Sequence, residues 1–295
     1  MNPIIFTIPG TSISLHWYGL IMAAGIIIAS IIASWGVRQR GENPDHVWDL
    51  LVWGVPAGIA GARLWYVVNE TLGGNSYYLD QPLRILNLPE GGLHFYGAVL
   101  FGGIAGLLYV RKHGLDYRII LDAAAPALFI GQALVRPANF INQELYGPPT
   151  ELPWGIPIDA AHRLAPWTDL ALFPVETTRF HPAFAYEMLW NFLAAGLLLW
   201  IALEFRNRVK PGSIFAGWLV LEGIGRELIE FFRPDQPLIS GTVISYSRIA
   251  AGLMVIVGII ILLDKYDVIR LPLGDAAPKT YKISRKTKKA KSTRK

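Results

Sequence analysis

Cysteine is absent from the 295 residues, which excludes disulfides, thiolate nucleophiles and cysteine metal sites and leaves the redox compartment open. Charge is scarce as well, with Asp, Glu, Lys and Arg at 17% of the chain against 53% hydrophobic residues. Together with a mean hydropathy of +0.37, that balance excludes an ordinary soluble domain and points to an integral membrane protein. The six histidines show no HExxH or similar ligand spacing, so no metal site is expected. No Lys or Arg occurs in the first sixteen residues, so the basic n-region of a cleavable signal peptide is missing. The first apolar run therefore reads as a retained helix. No internal repeat of the inverted-topology transporter kind is found. The net charge of +5 does not signal nucleic acid, because ten basic residues lie between Arg270 and Lys295, outside the apolar core. No nucleic-acid partner is expected.

What is present fits a bilayer. Ten Trp and twelve Tyr suit two interfacial belts, and 29 Gly suit close helix packing in lipid. Seven apolar segments, 17–35, 47–68, 94–110, 119–135, 182–203, 213–231 and 243–263, are long enough, or nearly so, to cross roughly 30 Å of hydrocarbon. Arg38 and Arg40, then Arg111, Lys112 and Arg118, then Arg206, Arg208 and Lys210, then the tail, fall on one side. The other side holds only Arg84, Arg163, Arg179 and Arg233 in its loops. This positive-inside pattern predicts an all-α polytopic membrane protein of seven transmembrane helices, N-terminus outside and C-terminus cytoplasmic. Residues 1–268 form the membrane domain with long outer loops at 69–92 and 148–181, and 269–295 form a basic, disordered cytoplasmic tail. That tail is expected to be drawn to anionic lipid, roughly 1 kcal/mol per basic residue. The Pro-rich run 146–157 is expected to lie ordered at the interface rather than serve as a mobile connector.

Three arginines, Arg63, Arg136 and Arg226, sit inside or at the rim of apolar segments. A guanidinium keeps its proton, and placing one at the bilayer centre costs at least about 2.5–3.5 kcal/mol. Such a group faces a wet cavity or an anion, and phosphate matches its planar fork best. The alternative is that these arginines snorkel or tie helices together. Arg136 opens the densest polar run of the chain, Arg136-Pro137-Ala138-Asn139-Phe140-Ile141-Asn142-Gln143-Glu144. Pro137 is expected to break the helix there, beside a water-accessible pocket. Glu222, Arg226, Glu230 and Arg233 share one helical stripe that must point inward, either as a paired network or as the lining of a cavity. Arg63 has no local counter-ion, and Arg248 reads as a snorkelling residue. Tyr18 in His16-Trp17-Tyr18-Gly19 is either a headgroup ligand or a belt residue. His181-Pro182 with Tyr186-Glu187 adds a polar cluster on the same side, with capping or packing as the alternative for His181.

The run from Arg136 to Gly147 resembles the signature of bacterial prolipoprotein diacylglyceryl transferases, Arg-x-Gly-Asn-Phe-x-Asn-x-Glu-x-x-Gly. Similarity extends to His16-Trp17-Tyr18-Gly19, Gly61-Ala62-Arg63, Asp122 with Pro126, His181-Pro182 with Tyr186-Glu187, and Arg226 through Arg233. The resemblance implies transfer of the diacylglyceryl group of phosphatidylglycerol to the lipobox cysteine of a preprolipoprotein signal peptide, releasing glycerol phosphate. That is the first step of lipoprotein maturation, without a cofactor, in the bacterial inner membrane at a site toward the outer leaflet. It carries a role onto Arg136, Asn139, Glu144 and Gly147, onto Arg226 as a second essential arginine, and onto Tyr18. Asn142, Arg63, Glu222 and Glu230 join them as expected substrate contacts. Three positions depart from the family. Tyr96 stands where a catalytic histidine is usual, and His94 can replace it only in an extended segment. Glu222 stands where tyrosine is frequent, and Ala138 replaces the signature glycine. Electrostatics are thus expected to carry more of the rate than a general base. An anion or lipid transporter and an inactive lipoprotein-binding paralogue are the rival readings.

Overall fold

The computed structural model describes residues 2–10, 14–88, 91–233 and 236–270. The expectation for the tail therefore lies, from 271 on, outside the described residues. Among them the fold is helical: α1 (Trp17–Gln39), α2 (Asp45–Leu72), α3 (Tyr77–Asp80), α4 (Phe95–Lys112), α5 (Tyr117–Ile141), α6 (Ala183–Glu204), α7 (Ser213–Glu230) and α8 (Tyr246–Lys265). Every apolar segment read from the sequence coincides with one of the seven long helices. Five of these, α1, α2, α5, α6 and α8, are long and apolar enough to cross a membrane. One addition to the expected all-α class is a small antiparallel pair, β1 (Ile4–Thr7) with β2 (Ser14–His16), that leads into α1.

The helices form two groups. α5 is the hub, meeting α1, α6 and α7, while α8 packs on α7. α2 and α4 form a tight pair whose link to the hub runs through α1. That pair rests on bare backbone: a Cβ on Gly61 would sit 2.6 Å from the Gly97 carbonyl oxygen. Glycine is what permits this approach. The outward flanks carry exposed Val52, Trp53, Leu193, Trp200, Leu253 and Ile256, as a lipid-facing surface must.

The hub is polar where it has to be. Asp122 on α5 is fully buried. Its carboxylate accepts from the Gly212 N–H at 2.7 Å and the Phe215 N–H at 2.8 Å. A side chain from one helix thus caps the N-terminus of α7, which begins at a left-handed Gly212 (φ 90°). α8 is capped by its own Ser245 hydroxyl, which accepts from Arg248 N–H at 3.1 Å.

One expectation about α5 fails. The helix does not break at Pro137 but runs through both Pro126 and Pro137 to Ile141. A proline deletes one intrahelical bond, and in a helix enclosed by three neighbours that loss is tolerable. The segment 148–181 folds around a core of its own: Tyr146, Ile158, Trp167 and Phe180. Arg163 is buried there, with its Nε donating to the Ile158 carbonyl at 3.0 Å. The loop between α2 and α4 is partly helical, holding α3 and a 3-10 turn, Pro82–Leu86.

Candidate functional site

The last turn of α5 and the turn after it assemble the first half of the site. Arg136 reaches across to α6 and ion-pairs through Nη2 with Glu187. Its Nη1 donates to Asn139 Oδ1 at 3.3 Å, and its Nε is buried without a partner among the described residues. Asn139 donates through Nδ2 to Glu144 at 2.8 Å, and Asn142 donates to the same carboxylate oxygen at 3.3 Å. Tyr18, in the first turn of α1, lies within reach of the charges of Glu144 and Arg136. Five residues predicted from the sequence therefore share one corner.

Backbone strain marks the same turn. Gln143 (φ 53°) and Leu145 (φ 55°) adopt the left-handed region without being glycine. Such conformations persist only where surroundings over-determine them, and they cluster at functional sites. Here the Gln143 side chain is clamped on both sides by Asp159, accepting from its N–H at 2.7 Å and donating to its carboxylate. The Leu145 carbonyl accepts from Phe184 N–H at 2.9 Å, tying the turn to α6. Gly147 is there for space: a Cβ would lie 3.0 Å from His181 Cβ and 3.0 Å from the Phe232 carbonyl oxygen.

α7 supplies the second half. Arg226 Nη2 donates to Gln236 at 2.6 Å and to Ser247 at 3.2 Å, and pairs with Glu230 at 3.3 Å. Glu230 is itself held by the Ser245 hydroxyl and by the Ser247 hydroxyl at 2.9 Å. Glu222, one turn earlier on the same stripe, accepts from Gln132 of α5 at 3.3 Å. It lies within the fields of Glu187, Arg136 and Arg226 together. Glu187, Trp190, Asn191, Glu222, Gly225 and Arg226 line one cleft between α6 and α7. Arg226 thus lines this cleft directly and Arg136 borders it through Glu187, with 18% of the Arg136 side chain and 24% of that of Arg226 exposed.

The structure keeps three predicted residues away from this cluster. Arg63 neither snorkels nor faces the cleft; it is 3% exposed, and its Nε, Nη1 and Nη2 donate to five backbone carbonyls of the loop between α2 and α4, those of Ile85, Gly91, Gly92, Arg84 and Asn87. A guanidinium has five N–H donors, so its capacity is filled by protein. His94 is extended at the N-cap of α4, with its ring 5.9 Å from that of Tyr66, itself beside Arg63. Tyr96 is 69% exposed in the first turn of α4, on the α2–α4 pair rather than at the hub. Arg248 does not snorkel alone; it pairs with Glu227.

Sequence reading missed Glu187, Gln132, Gln236 and Ser247 as site residues. Only Glu187 left a signal, as an acid in an apolar segment six residues after His181, within the polar cluster noted there.

Known proteins bear on this geometry. The profile of the family described as Prolipoprotein diacylglyceryl transferase matches residues 3–263. A phosphatidylglycerol–prolipoprotein diacylglyceryl transferase of Chloroflexus aggregans is 38% identical over 245 residues, 81% of this chain and 79% of the relative. A protein of the same name from Leifsonia xyli subsp. xyli is 37% identical over 260 residues, 86% of this chain and 76% of the relative. One from Synechocystis is 36% identical over 258 residues, covering 85% and 87%. With the strained polar turn, the paired arginines and nearly the whole helical bundle inside the match, this chain belongs to the prolipoprotein diacylglyceryl transferase family.

Proposed function

We propose that this chain transfers the diacylglyceryl group of phosphatidylglycerol to the lipobox cysteine of a preprolipoprotein, releasing glycerol phosphate. The observation that carries this reading is one cleft between α6 and α7, inside an apolar helical bundle, that Arg226 lines beside Glu187, the carboxylate held by Arg136 of α5. A phosphodiester at membrane depth needs that pairing of permanent cations. The nucleophile is the substrate's thiol, which is consistent with a chain that has no cysteine.

In the reaction the thiolate attacks the glyceryl carbon bearing the phosphate ester, and the C–O electron pair leaves with glycerol phosphate. Charge grows on the leaving phosphate, where Arg136 and Arg226 stabilise it in a water-poor site. Glu230, Ser247 and Gln236 orient Arg226. Asn139, Asn142 and Glu144 set the turn that carries Arg136, and Tyr18 lies within reach of the charges of Glu144 and Arg136. A thiol with an ordinary pKa near 8.5 supplies some thiolate at neutral pH, more so beside cations.

The topology follows from the same reading. α4 and α7, at 18 residues and about 27 Å each, cross the bilayer with the five more apolar helices. The N-terminus then lies outside and the C-terminus in the cytoplasm. The end of α5 that carries Arg136 faces the outer leaflet of the bacterial inner membrane.

The test is mass spectrometry of a lipobox peptide incubated with the purified protein and phosphatidylglycerol. The expected result is a gain of one diacylglyceryl unit with release of glycerol phosphate, lost when the peptide cysteine is replaced by serine. Flux of lipid or anion across vesicles with no covalent product overturns the assignment.

A further inference from the structure

We propose that Glu187 is a further catalytic residue: the lipid phosphodiester displaces it from Arg136, and the freed carboxylate takes the proton of the acceptor thiol. This rests on the transferase reading above. The starting point is the half-filled edge of one guanidinium. Nε and Nη2 of an arginine form the side-on edge that grips two oxygens of one anion. In Arg136 that edge is used on Nη2 alone, by Glu187, while the Nε N–H is buried and has no acceptor among the described residues. A carboxylate that satisfies one of two donors is a placeholder. A phosphodiester with two anionic oxygens fills both.

The cleft decides where the displaced carboxylate goes. Glu187 keeps 18% of its side chain exposed and lines the cleft with Trp190, Asn191, Glu222 and Arg226, so it swings into the reaction space and not into lipid. Glu222 from α7 is close enough for like-charge repulsion with it. Once Arg136 has turned to phosphate, Glu187 has lost its cation, and a carboxylate without its cation is the stronger base. Tyr96 and His94 stand on the α2–α4 pair, apart from this cleft.

The step balances. The S–H proton passes to the Glu187 carboxylate, sulfur forms its bond to the glyceryl carbon, and the carbon–oxygen bond to phosphate breaks with its electron pair on oxygen. Glycerol phosphate then accepts the proton from Glu187 and leaves, restoring both the carboxylate and the ion pair with Arg136.

Steady-state transfer by the full-length protein in nanodiscs, with phosphatidylglycerol and a lipobox peptide, tests this through Glu187→Gln. The amide cannot hold Arg136 as an anion or accept the proton. The expected outcome is a KM for phosphatidylglycerol several-fold lower together with a kcat about 10²-fold lower, the usual scale of a lost general base. Glu187→Asp recovers part of kcat. A kcat for Glu187→Gln within about twofold of wild type overturns the proton-acceptor role, and an unchanged or raised KM overturns the displacement. Native mass spectrometry of lipid retained by the variant guards against misfolding: a variant that no longer holds phosphatidylglycerol also counts against the proposal. Wild-type protein that forms no adduct overturns the transferase reading itself, a different result from an active wild type with an equally active variant.

Discussion

Arg63 and Arg136 are both guanidinium groups sunk in apolar helices, and their surroundings give them opposite jobs. Around Arg63, five loop carbonyls meet five N–H donors, so the cation is saturated by backbone that cannot leave without unfolding the loop. Around Arg136, one carboxylate and one amide oxygen are the acceptors, and among the described residues the Nε N–H has none, as the proposed phosphate seat requires. Membrane depth demands a partner for each cation but does not specify which kind. A cage of carbonyls is architecture; a single side-chain acid is a seat that a phosphate can take.

Replacing both kinds of arginine breaks the comparison most sharply. Arg136→Lys and Arg226→Lys keep the charge but lose the planar fork, so each is expected to lower the rate of peptide lipidation by about 10²–10³-fold, the scale of removing one preorganised transition-state donor. Activity near wild type in both variants removes the phosphate clamp. Arg63→Met is expected to act on stability instead. It orphans buried carbonyls at about 1–3 kcal/mol for the first of them, read as a lower unfolding temperature and faster proteolysis between residues 84 and 92. Rate per folded molecule stays close to wild type at low temperature. A cold-stable Arg63→Met protein without transfer activity would place Arg63 back in the reaction.

The helical segments were legible because lipid enforces a one-dimensional rule: an apolar run of bilayer length must satisfy its backbone within itself. The Arg136–Glu144 turn was legible for a local reason, since its partners are three to five residues apart. The partners of Arg63 lie 21 to 29 residues away and are main-chain atoms, which leave no trace in side-chain pattern. Glu187 sits 51 residues from Arg136, on another helix. Pro137 misled because its local rule, a lost hydrogen bond, was overruled by tertiary enclosure of α5.

Gly147 sharpens the contrast from the packing side. A methyl group there meets His181 Cβ and the Phe232 carbonyl at 3.0 Å each, and neither the backbone oxygen nor the strained turn can give way freely. Gly147→Ala is expected to cost about 1–3 kcal/mol by overpacking. Because the displaced element is the turn behind Glu144, the loss should show in transfer rate as well as in thermal stability. A variant that melts earlier but transfers at the normal rate would separate the turn from the site.

The smallest effect is expected at Tyr96. The resemblance that identified the signature also placed a catalytic histidine at this position, so a large effect here would relocate the proton chemistry to the α2–α4 pair. The geometry argues otherwise: Tyr96 is 69% exposed at the start of α4, a helix that packs on α2 and not on α5 or α7. Tyr96→Phe removes only the hydroxyl, and away from the arginines it should change the transfer rate by no more than about twofold, the range of a surface substitution. The decisive measurement sets its kcat beside that of Glu187→Gln in one preparation. A Tyr96→Phe loss as deep as the Glu187→Gln loss would move the base from α6 to α4 and leave the Arg136–Glu187 pair a structural tie, like the cage around Arg63.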